Sequence, residues 1–142
     1  HAIGHMHPDN PERDKLCVPI RKFHAERVAD LARRLDAVKE GSGTVLDNTL
    51  IIWMSDSGEE HHGFCSEWPL VVLGDLGGRL KTAGRLLRFP SYQSAGHRTV
   101  ANFYLALLHA VGDKRKSFGE IDPALERLRD VDQSGPLTEI LA

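Results

Sequence analysis

The chain has 142 residues and 41% apolar content, enough for one compact domain with a real core. Its 18 basic and 20 acidic residues are scattered rather than blocked, which leaves no electrostatic footprint for nucleic acid or an anionic membrane. No apolar run, residues 50–54 included, approaches the roughly 20 residues needed to cross a bilayer, so no membrane span is expected.

The chain opens on His1 with neither a signal peptide nor an initiator Met, and so reads as a processed or excerpted segment. Residues 1–18 read as a His-rich loop, because Pro8 and Pro11 oppose regular structure. Residues 19–40 read as an amphipathic helix. Ile20, Phe23, Val28, Leu31, Leu35 and Val38 recur at steps of three to five, Pro19 is tolerable in the first turn, and the glycines at 41 and 43 end the run.

Residues 49–89 carry the expected strands and the candidate site loop. The run 49–54 is short, apolar and unalternating, as in a central strand covered on both faces, and 69–73 has the same character. Residues 81–89 suggest a hairpin or an edge strand. Residues 97–112 contain a second helix, because Val100, Phe103, Tyr104, Leu107, Leu108 and Val111 keep helical spacing and Gly112 ends them; this helix is expected to pack on the sheet. The tail, 113–142, holds a short helix near 123–129 and the apolar residues Leu137, Ile140 and Leu141. Strands interleaved with helices imply an α/β sheet.

The segment Ser55-Asp56-Ser57-Gly58-Glu59-Glu60-His61-His62 directly follows the first strand, and ligands of open α/β sheets bind at the carboxyl ends of strands. A carboxylate and imidazoles there can converge on a divalent cation, though the same residues can equally solvate an exposed turn. His1, His5 and His7 form a second group of suitable donors, or a fraying terminus. His97, at the start of the second helix, is placed to face a phosphate or sulfate, or simply to pack or cap. No GxSxG elbow, GxGxxG or Walker lysine is present. Cys17 and Cys65 can form one disulfide, without a CxxC spacing to argue for it.

Several features, taken in order, carry a resemblance: His1-x-x-x-His5, the long helix, the 40–48 stretch EGSGTVLDN, the strand through Trp53, the acid-Gly-His loop, the 69–74 run PLVVLG, Gly77-Gly78, Gly84-Arg85, His97-Arg98, and the closing Phe118-Gly119 and Ser134-Gly135-Pro136-Leu137. This order resembles a bacterial family of exported proteins without an established reaction, similar in turn to the alkaline phosphatase and sulfatase superfamily.

The resemblance implies that the chain is the C-terminal part of a three-layer α/β/α sheet holding one or two divalent cations (Zn, Mn, Ca or Fe). It implies His1, His5, Asp56, and His61 or His62 as metal ligands, and a small anionic ester as substrate. The catalytic nucleophile would come from an upstream segment, and that segment or a second polypeptide would complete the sheet. Export to the periplasm or cell surface is implied as well. The chain departs from the pattern at one place: phosphatase-like enzymes often read Ser-Asp-His-Gly, and here Ser57 stands in the imidazole's position. That departure keeps a non-catalytic exported binding or structural module beside the hydrolase reading.

Overall fold

A computed structural model describes residues 3, 6, 7, 9–55, 67–128 and 130–142. The chain divides into two compact units, the first made of His1–Leu46 and Ile51–Val72, the second of Asp47–Leu50 and Leu73–Ala142.

The first unit is dominated by helix α1, Pro11–Asp36. It starts eight residues before the boundary expected from Pro19. Pro11 sits in the first turn, where its missing N–H has no intrahelical partner to lose, and the Asn10 side chain accepts from the Glu12 amide at 3.0 Å to cap the end. The expected loop is therefore helical from Pro11 on, and Pro19 lies inside the helix rather than at its start. Cys17, on this helix, carries a free thiol; Cys65 lies outside the described residues.

The glycine stretch after α1 does more than end it. Strands β1, Lys39–Glu40, and β2, Gly43–Thr44, pair antiparallel as a small hairpin, Lys39 opposite Thr44 and Glu40 opposite Gly43. Gly41 supplies the left-handed turn residue at φ +59°. Strands β3, Ile51–Met54, and β4, Leu70–Leu73, form a second two-stranded sheet. All four β3 residues are half-buried, where complete cover was expected, and among the described residues no third strand joins this sheet.

The second unit holds a buried apolar core: Leu80, Phe103, Leu105, Ala106, Leu125, Val131, Leu137 and Ile140. Helix α2, Val100–Ala110, falls within the expected span and is capped by Thr99, with Asn102 completing a reciprocal capping box. Helix α3, Pro123–Glu126, is a single turn capped by Asp122, and a 3-10 turn spans Thr138–Ile140. The expected strand at 81–89 is absent. Among the described residues the ladder contact nearby is the bridge between Leu80 and Leu141, and the chain then turns out of it through Gly84 at φ +66°. Gly77 is required by contact as well as by its φ of +69°, since a Cβ there would lie 2.9 Å from the Asn48 Oδ1.

Candidate functional site

Strand β3 delivers Ser55 to its carboxyl end, and the Trp68 indole Nε1–H donates to the Ser55 carbonyl at 3.0 Å. Trp68 is half-buried and sits two residues before β4. Strand pairing and this bond hold together the described residues on either side of positions 56–66, with the Trp68 indole as the clasp between them. The expected ligands His1, His5, Asp56, His61 and His62 lie outside the described residues. Among the described residues no group of three or more His, Cys, Asp or Glu side chains is arranged to hold a metal ion.

Of the N-terminal imidazoles, His7 is described and exposed. Its Nδ1 accepts from the Asp9 amide at 3.2 Å and lies 3.6 Å from the Asp9 carboxylate, an arrangement local to the turn. His24 is exposed on α1 beside Phe23, and the His109 Nε2 lies 2.8 Å from the Arg115 carbonyl. Both are accounted for by their surroundings.

His97 is 9% exposed and two residues before the α2 cap. Its Nδ1 lies 3.0 Å from the Pro90 carbonyl, and the Tyr92 ring meets it edge-on at 5.6 Å. A carbonyl can only accept, so Nδ1 carries a proton, and Nε2 is the nitrogen left to face a ligand. Among the described residues Nε2 makes no hydrogen bond. A neutral His97 thus suits a cation or a hydroxyl donor; only the protonated ring would donate to the anion expected from its position near a helix N-terminus.

The neighbouring Arg98 faces the Glu139 carboxylate at 3.8 Å, and Glu139 Oε2 is buried without a hydrogen-bond partner. Arg85 donates to the carbonyls of Lys81 and Glu139, binding the 81–85 turn to the chain's end. The tie between Arg98 and Glu139 was not legible in the sequence, because 41 positions separate two ordinary surface-type charges.

Asn102, also missed, is 1% exposed and organises the second unit. Its Oδ1 accepts from the Thr99 amide and hydroxyl at 2.8 and 2.9 Å. Its Nδ2 donates to the carbonyls of Gln133, Ser134 and Gly135 at 3.1, 3.1 and 2.8 Å. The Thr99-x-x-Asn102 spacing before an apolar helix is the signal that marks it. A second lock joins Tyr92, whose hydroxyl donates to Asp122 at 2.7 Å, while Gln133 exchanges two bonds with the Asp122 backbone. The Tyr92 hydroxyl and the Ala124 amide hold the Asp122 carboxyl below the usual carboxylate range, and the same bond pushes the Tyr92 phenol up.

Compared with known proteins, the chain matches no family model, no curated protein and no solved structure.

Proposed function

We propose that the chain is the C-terminal part of an alkaline-phosphatase-like protein acting as a metal-dependent hydrolase of phosphate or sulfate monoesters. The observation that carries this reading is the clasp at the end of β3. It holds together the described residues on either side of positions 56–66, which include Asp56, His61 and His62 and follow a strand end, the location where α/β proteins place ligand-binding groups. The donor set of His1, His5, Asp56 and His61 or His62 is chemically that of a divalent transition metal. When bound, such a cation supplies Lewis-acid polarisation of an ester oxygen. The nucleophile belongs to an upstream segment, and export to the periplasm or cell surface accompanies the resemblance.

Two observations support further polypeptide, an upstream segment or a second chain, completing the sheet. A two-stranded β3–β4 sheet is marginal by itself, and α1 leaves Leu16, Ile20, Phe23 and Leu31 exposed. The three-layer α/β/α architecture is part of the same proposal.

Metal analysis of the purified protein tests the reading. Near-stoichiometric zinc, manganese, calcium or iron is expected, with loss in an Asp56→Ala/His61→Ala/His62→Ala variant that keeps its circular dichroism spectrum. Equal metal content in variant and parent would overturn the assignment. Ser57, standing where an imidazole is expected, favours a second reading: an exported module with a degenerate metal site and no turnover. Phosphate and sulfate monoester assays on the metal-loaded protein that carries its upstream segment separate the two.

A further inference from the structure

The even charge balance of the whole chain hides a lopsided stretch. From Leu76 to Gly112 there is no Asp or Glu, while Arg79, Lys81, Arg85, Arg88 and Arg98 all fall there. Two of these cations are committed, Arg98 to the Glu139 carboxylate and Arg85 to two backbone carbonyls. Arg79, Lys81 and Arg88 are exposed and form no ion pair among the described residues.

Alongside them sit Leu86, 85% exposed, and Leu87, 36% exposed. Residues 81–90 adopt neither helix nor strand, yet they are pinned at both ends. The Lys81 amide donates to the Ile140 carbonyl at 2.8 Å, the Thr82 hydroxyl to the Gly74 carbonyl at 2.7 Å, and Arg85 to Lys81 and Glu139. At the far end His97 holds the Pro90 carbonyl. Leu86 is thus kept in water on an anchored loop, with Lys81 before it in the chain and Arg88 after it.

We propose that the 79–90 segment docks the second unit peripherally on a bilayer containing anionic phospholipid. Leu86 and Leu87 enter the boundary between headgroups and acyl chains, and Arg79, Lys81 and Arg88 meet lipid phosphates. The attachment is peripheral, since no helix among the described residues is long and apolar enough to cross a membrane. Nucleic acid would satisfy the cations but offer no layer for two leucines, and Phe89, the segment's aromatic residue, is half-buried rather than free to stack. A protein partner would need about 800 Å² of matched surface, whereas a bilayer needs only apolar side chains and a few charges.

Co-sedimentation with phosphatidylcholine vesicles, with and without about 30% phosphatidylglycerol, tests this on the full chain. Binding is expected only to the anionic vesicles and is expected to weaken as salt shortens the Debye length. Leu86→Asp, at a site too exposed to affect folding, should lower partitioning at least about tenfold. Each of Arg79→Ala, Lys81→Ala and Arg88→Ala should lower it roughly fivefold. Equal binding to neutral and anionic vesicles overturns the proposal, as does Leu86→Asp binding like the parent. So does tight binding of a single-stranded oligonucleotide that Leu86→Asp leaves unchanged, which would make the surface a polyanion reader.

Discussion

Helices α1 and α2 have similar sequence signatures and opposite fates. Both show apolar residues at helical spacing, and both have an asparagine near the N-terminus. Yet α1, 26 residues long, buries only Ala32, while the 11 residues of α2 bury Asn102, Phe103, Leu105 and Ala106. Periodicity shows that a helix has an apolar stripe; it does not show whether anything within the same chain covers that stripe. In α1 the Phe23 ring, 56% exposed, has the Arg27 guanidinium over it at 5.4 Å, a contact made within its own helix. In α2 the stripe meets a C-terminal segment that returns to it, with the Leu137 amide donating to the Asn102 carbonyl.

The sharpest way to break this contrast is truncation of one apolar side chain on each helix. Leu105→Ala, at a position with 0% exposure, should cost about 2–5 kcal/mol in urea unfolding, whereas Phe23→Ala should stay within about 0.5 kcal/mol. Comparable losses at both positions would mean that the α1 stripe is covered in solution.

The two asparagines sharpen it next. Asn102→Asp preserves shape but turns an oxygen toward the Gln133, Ser134 and Gly135 carbonyls, and should cost about 3 kcal/mol at neutral pH, with partial recovery in acid as the carboxyl protonates. Asn10→Ala removes one cap bond from a helix with little packed on it. Its cost should be about 1 kcal/mol, read as lost helicity by circular dichroism.

The smallest effect is that of pH on the lock between Tyr92 and Asp122. The folded state lowers the Asp122 pKa, so its stabilisation is present above the ordinary carboxylate value and fades as pH falls through the lowered one. The Tyr92 pKa is raised, so the phenol's contribution is present below its ordinary value and fades as pH rises through the raised one. The gap in urea midpoint between parent and Asp122→Asn should therefore be widest near neutrality and close toward strong acid. A gap independent of pH would show that the bond to Tyr92 is not what shifts the carboxyl.

Much of the architecture was legible in the chain. The strands at 51–54 and 70–73, the second helix with its terminating Gly112, and the short helix after Asp122 all follow from local pattern, because each is specified by its own apolar period and its own breakers. The start of α1 lies earlier than the apolar stripe indicates, because Pro11, following Asn10, marks a helix beginning rather than a barrier. The β1–β2 hairpin was hidden inside what looked like a helix stop, since one glycine can serve either purpose. The expected strand at 81–89 failed for a different reason: its backbone is held by Arg85 and by the chain's last residues, which no local pattern contains.

For the candidate site, sequence determined which residues have the right chemistry and that they follow a strand. Only tertiary structure showed that Trp68 clasps the described residues on either side of positions 56–66, that Pro90 fixes which nitrogen of His97 is open, and that Asn102 rather than any helix-stripe residue ties the second unit together. Residue type and spacing fix local conformation through short-range sterics and hydrogen bonds. Which distant carbonyl meets which donor depends on how the chain returns on itself, and that is set by the sum of all the packing choices rather than by any one stretch.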